Sequence, residues 1–153
     1  MKRNYTPWII GGIILLLVLL VIGSYNGLVG KRNAVDSAWA DVEAQYQRRM
    51  DLIPNLVSTV KGYAAHEEDL FTEITQLRSQ WQTASASGDT AGAITAAQGT
   101  DSALARLLVV AEAYPDLKAS TNFLALQDEL AGTENRVAVA RTRFNDAVKT
   151  YNT

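Results

Sequence analysis

Residues 8–22 read Trp8-Ile-Ile-Gly-Gly-Ile-Ile-Leu-Leu-Leu-Val-Leu-Leu-Val-Ile22, and twelve of these fifteen positions are Ile, Leu or Val. No charge interrupts the run, and Gly11 and Gly12 are its only glycines. Extended to the nearest charges, Arg3 and Lys31, the uncharged span covers 27 residues. A bilayer core is crossed by roughly 20 mostly apolar helical residues. At about −0.4 kcal/mol for each branched aliphatic, twelve of them favour insertion by roughly 5 kcal/mol. Tyr5, Trp8 and Tyr25 stand where ring side chains anchor at lipid headgroups. The stretch predicts a transmembrane helix over about residues 8–29. Trp8, Ile9, Ile10, Leu15, Leu16, Leu17, Leu19, Leu20 and Ile22 form its lipid-facing surface.

Two other uses of such a run fit less well. A cleaved signal peptide would have Lys2 and Arg3 before an apolar core and a weak site at Val21-Ile22-Gly23. The core is long for that, and no cysteine follows that could carry a lipid. A buried helix of a water-soluble core is disfavoured because the run is apolar on every side. The anchor is expected to stay in the mature chain. Gly23 and Gly27 at its outer end have the spacing that lets membrane helices approach closely, although glycines there also simply loosen the exit.

The chain divides into an anchor at residues 1–30 and a second unit at residues 31–153, long enough for one domain with a core. A formal charge of −2, with acids and bases interspersed, argues against a nucleic-acid partner. There is no cysteine and one histidine, His66, which leaves little for metal ligation and no thiol chemistry. Redox compartment stays open. His66 stands beside Glu67, but adjacent helical residues point about 100° apart and make no acid–base pair.

Helical periodicity runs through the second unit. Val35, Trp39, Val42, Tyr46, Ile53, Leu56, Val60 and Tyr63 fall on one heptad face, with Arg49 at one of its positions. Pro54 lies inside this pattern and predicts a kink, since the stripe keeps its phase beyond it. Leu70, Ile74, Leu77 and Trp81 continue the spacing, so the region forms one bent helix or two helices meeting near Ala64-Ala65.

Ser85–Asp89 reads as a loop. Thr90–Gln98, rich in alanine, is either a thin close-packed helix or a mobile connection, and Asp101 is a candidate helix cap. Leu104, Leu107, Leu108, Ala111 and Tyr114 form the next stripe, ended by Pro115. Phe123, Leu126, Leu130, Thr133, Val137, Ala140, Phe144, Ala147 and Tyr151 form the last, large side chains alternating with small. No segment alternates with period two. The expected fold is all-α: an N-terminal transmembrane helix continuing into an antiparallel bundle of three to four long helices. Its core is Val35, Trp39, Val42, Tyr46, Ile53, Leu56, Val60, Leu107, Phe123, Leu126, Leu130, Val137 and Phe144. Arg49 on an apolar stripe requires an acid across the core, Glu134 being the first choice.

Several blocks resemble the LemA family. They are Arg32-Asn33-x-Val35-Asp36-x-x-Trp39, Arg49-x-Asp51-Leu52-Ile53-Pro54-Asn55-Leu56, and Ala111-Glu112-Ala113-Tyr114-Pro115. Glu134-Asn135-Arg136, Ala140-Arg141 and Phe144-Asn145-Asp146-Ala147 continue the match. The family pattern runs on into a hydrophobic tail containing Phe and Pro, whereas this sequence stops at Thr153.

The resemblance implies one membrane helix, a helical bundle, no cofactor, no metal and no catalytic residue. Its polar positions here are Arg32, Asn33, Asp36, Arg49, Asp51, Asn55, Glu112, Glu134, Asn135, Arg136, Arg141, Asn145 and Asp146. The expected role is a bacterial inner-membrane scaffold, in contact with lipid and self-associating. The alternative is an adaptor that presents a client to a membrane protease or another unlike membrane partner. The short charged N-terminal tail tips the topology towards the bundle lying outside the cytoplasm.

Overall fold

Helix α1, Thr6–Lys61, runs without a break through the apolar span and on into the soluble half of the chain. Its 56 residues reach about 84 Å at 1.5 Å per residue. The computed structural model describes residues 6–153, with side chains from residue 10 onward. Tyr5 therefore lies outside the described residues, and the side chains of Trp8 and Ile9 outside the described side chains. From Ile10 to Gly30 every position is exposed, including Leu15, Leu16, Leu17, Leu19, Leu20 and Ile22. Among the described residues nothing covers this apolar surface.

Four further helices complete the fold: α2 (Glu68–Ser87), α3 (Thr90–Glu112), α4 (Pro115–Lys118) and α5 (Thr121–Asn152). The described residues contain no strand, and the four long helices form an antiparallel bundle. The second half of α1 packs most extensively against α5, and α2 packs against α3 and, to a lesser extent, α1. The core between them holds Val42, Tyr46, Met50, Ile53, Leu56 and Val60 from α1, with Ile74 and Trp81 from α2. Leu104 and Leu107 from α3 meet Phe123, Leu130 and Val137 from α5.

The helices differ in length, and that decides which stripe residues are buried. The Ser85 hydroxyl near the end of α2 donates to the carboxylate of Glu43, so the α2–α3 turn lies close to the level of residue 40. Below that level α1 and α5 run on as a two-helix stem towards the apolar span. Val35, expected in the core, is consequently only half-buried in the stem. Trp39 and Phe144, at the lip of the core, are also half-buried, their rings 5.4 Å apart and tilted by 60°. Leu126 is half-buried against the core, and Tyr63 is 46% exposed because α1 has already ended.

Helix α1 continues through Pro54. A proline has no N–H to offer the carbonyl four residues back, which here belongs to the fully buried Met50. The side chain of Arg78 on α2 fills the gap, its Nε donating to the Met50 carbonyl at 3.0 Å. The chain does break after Lys61, and a short turn leads to Glu68.

The turn between α2 and α3 uses Gly88 at φ +72°, a left-handed position that spares a side chain its steric penalty. Asp89 is the N-cap of α3, accepting from the Gly92 N–H at 2.9 Å. Asp101 is thus no cap: α3 is continuous from Thr90 to Glu112, and the alanine-rich stretch is its first half. Ala93, Ala96, Ala97 and Thr100 are buried there, and a Cβ added at Gly99 would come within 2.7 Å of Leu77. Small side chains thus set how near α3 comes to α2. The second connection contains the one-turn helix α4, opened by Pro115 at a position that needs no N–H.

Candidate functional site

The most unusual chemistry lies inside the bundle, where α1, α3 and α5 face one another. Arg49 is 6% exposed, and its Nη1 lies 2.9 Å from Asp101 Oδ1. The partner is therefore Asp101 on α3 and not Glu134 on α5. Glu134 stands close by on the α5 side, and Arg141 and the Tyr46 hydroxyl complete the group.

The Arg49–Asp101 contact is a charge contact without hydrogen-bond alignment: Arg49 Nε and Asp101 Oδ1 are buried without a hydrogen-bond partner among the described residues. Burial pushes the Asp101 carboxyl above the usual carboxylate range, and Glu134 adds to the rise; Arg49 and Arg141 oppose it. Burial likewise raises the Tyr46 hydroxyl, helped by Asp101 and opposed by Arg141 and Arg49. Two cations and two carboxylates balance, so the cluster holds its own charge within the fold.

Three of the family-type polar residues, Arg49, Glu134 and Arg141, are brought together in this way. The others are not. Arg32, Asn33 and Asp36 are exposed on the first turns beyond the apolar span, and Glu112 is exposed at the end of α3. Asp51 accepts from the Gln47 amide on the surface of α1, one turn from the exposed Asn55. Asn135, Arg136, Asn145 and Asp146 are exposed along α5. Gly23 and Gly27 are exposed on α1, with open space where a Cβ would stand.

Asp101 and Arg78 are the polar residues that sequence reasoning missed. Asp101 could have been found, since it continues the Leu104, Leu108 and Ala111 stripe at three- and four-residue spacing. Arg78 carries no such signal, because the carbonyl that it serves is defined by a proline on another helix.

Two clefts flank this cluster. One of about 360 Å³ lies between α3 and α5, floored by Leu104 and Leu130 and edged by Arg49, Asp101, Asp128 and Glu134. The other, of about 410 Å³, lies between α1 and α5 and is lined by Asp41, Gln45, Asn135, Arg136, Val139 and Arg143. A smaller cavity of about 90 Å³ sits beneath Trp39, Ile94 and Phe144. Among the described residues no group of three or more His, Asp or Glu side chains could hold a metal ion.

A long exposed apolar helix that continues as the first helix of an antiparallel bundle defines a class: helical bundles carried on a single N-terminal membrane-type helix. This chain belongs to the LemA family, whose model matches residues 38–153. The chain is 26% identical to the magnetosome protein MamQ of Magnetospirillum gryphiswaldense, over 84% of its own length and 56% of the relative's. It is 25% identical to protein LemA of Metamycoplasma hominis, over 86% of this chain and 59% of that one. The chain thus spans a little over half the length of these relatives. The apolar helix and these relatives fit a membrane location.

Proposed function

We propose that this chain is a non-enzymatic, single-pass protein of the bacterial inner membrane, whose bundle is a self-assembling scaffold that organises the membrane carrying it. One observation supports this most: α1 is a single helix through the apolar span and the bundle. A bundle joined by a continuous helix is held at a set height and does not swing on a linker. The anchor comprises residues 1–30 and the bundle residues 31–153.

Anchoring confines copies to two dimensions and raises their effective concentration, so weak lateral contacts suffice. The glycines at 23 and 27, open on their exposed side, offer close approach between anchors. The polar cluster fits the same role, as Arg49 and Asp101 answer one another inside the fold. The magnetosome relative supports a membrane-organising role.

Light scattering on the full chain in mild detergent tests the reading. Assemblies of one size class, without any other protein present, are expected. A single-copy particle over a wide concentration range would overturn the scaffold and favour an adaptor that enlarges only with its client.

A further inference from the structure

The antiparallel register of α1 and α5 carries the end of α5 back to the apolar span. Trp39 meets Phe144, and Arg49 shares a cleft with Glu134, so each step forward on α1 is one step back on α5. Counted from the same pairs towards the span, Ala34 stands level with Lys149 and Arg32 with Tyr151. Residues 31–34 rise about 3–8 Å beyond residue 29, at 1.5 Å per residue. That is the depth of the lipid headgroups, a layer about 5–7 Å thick on each side of the hydrocarbon. Charge divides along the rod in the same sense. Between residues 41 and 142 fourteen acids outnumber eight bases. Next to the span the balance is reversed: Lys31, Arg32 and Lys149 stand there, with no acidic side chain among residues 30–34 or 149–153. These three bases also outnumber a free carboxylate at Thr153. Arg32, Lys149 and Tyr151 are exposed, and Lys31 is half-buried, level with the last turn of α5.

We propose that these two helix ends form a basic collar that binds the headgroups of anionic phospholipids, so that the bundle stands on the membrane through α5 as well as α1. The inference rests on the reading of the apolar helix as a membrane anchor and adds a second contact with the same bilayer.

Continuity selects the occupant. Helix α1 leads from the collar straight into the apolar span, so the surface next to these bases is the bilayer that the span enters. Side chains on a helix lean towards its N-terminus, which on α1 aims Lys31 and Arg32 at the headgroup layer. Lys149 leans the other way, but its long flexible stem leaves the ammonium free to settle among phosphates. Tyr151 adds a ring with a polar tip, suited to the same layer. An anionic surface attracts the collar and repels the acidic bundle above it, and its field fades within about 10 Å. A surface of that sign therefore favours the rod upright over the rod laid flat, whereas a zwitterionic one supplies no such field. One helix in a bilayer leaves a bundle free to tilt. Two helix ends at headgroup depth oppose tilting in the plane that contains both.

The full chain in vesicles of phosphatidylcholine mixed with phosphatidylglycerol gives the test, with a fluorophore on one introduced cysteine in a sequence that has none. The quencher is a nitroxide high on an acyl chain, carried either by the zwitterionic or by the anionic lipid at the same mole fraction. Thr150→Cys places the fluorophore on the collar, Ser24→Cys in the apolar span and His66→Cys at the far end of the bundle. The Thr150 label should be quenched and the His66 label should not. A base at an anionic surface is worth about a fivefold preference. Quenching at Thr150 should therefore report an enrichment of the anionic over the zwitterionic lipid of about fivefold or more. Lys31→Gln, Arg32→Gln and Lys149→Gln together should abolish that preference and leave the Ser24 label quenched. A Thr150 label that neither lipid quenches, or that both quench equally in the unmodified chain, would overturn the collar while leaving the anchor standing. So would a preference that survives the three neutral substitutions. An unquenched Ser24 label would overturn both.

Discussion

Arg49 carries a full charge where an aliphatic side chain would otherwise pack, and Asp101 meets it from another helix. Because the folded state raises the Asp101 pKa, that carboxyl holds its proton more tightly folded than unfolded. Its contribution to stability is greatest below the ordinary carboxylate range and declines as pH rises to the raised value. The stability of the unmodified chain minus that of Asp101→Asn should therefore fall across that window and level off above it. Urea midpoints measured at a series of pH values check the slope. Arg78 permits a second experiment. Arg78→Ala leaves the buried Met50 carbonyl unpaired and should cost about 1–3 kcal/mol. With Pro54→Ala in place, residue 54 regains an N–H for that carbonyl, and the same Arg78→Ala change should cost less than about 1 kcal/mol. Equal costs in the two backgrounds, in a double-mutant cycle, would refute this account of the contact.

Helix boundaries here follow from small polar and special residues more than from hydrophobic pattern. Gly88 and Asp89 stop one helix and start the next within two positions. Asp89→Ala removes the acceptor for the Gly92 N–H and should cost about 1 kcal/mol by thermal or chemical denaturation, whereas Ser87→Ala should cost less. The periodic stripes of α1 and α5 were legible as helices because nothing in them contradicts a 3.6-residue repeat. The first half of α3 was not, because alanines give little amphipathic contrast. What identifies that stretch as a helix is its close packing on Leu77 and its neighbours, and this depends on another element being present. The burial of each stripe also depends on its neighbours, as the half-buried Val35 and Trp39 show. Both lie on the stem side of the core, where α2 and α3 are too short to cover them fully.

Taken as one object, the molecule is a rod that leads from an apolar helix to a bundle end about 46 Å further along α1, the rise of residues 31–61. The scaffold reading places that far end, with the Gly62–Glu67 turn, well above the membrane and on one side of it. In intact cells a cysteine introduced at exposed His66 should react with a membrane-impermeant maleimide, which crosses the outer membrane and stops at the inner one. A cysteine at Lys2 should react only after the inner membrane is opened. The reverse pattern would place the bundle in the cytoplasm and reverse the proposed topology.

The apolar span, the all-α character and the order of the long helices were legible in the sequence alone. Those properties depend on composition and period along a single helix, which neighbours do not alter. The sequence also called for an acid opposite Arg49 and pointed to Glu134, where the structure puts Asp101. The pairing of Asp101 with Arg49, the service of Arg78 to the carbonyl exposed by Pro54, and the cleft between α3 and α5 came from helix packing and were not legible along the chain. Each of these depends on the distance between residues far apart in the chain. That distance is set by relative helix lengths and by the small side chains that let α2 and α3 close on one another.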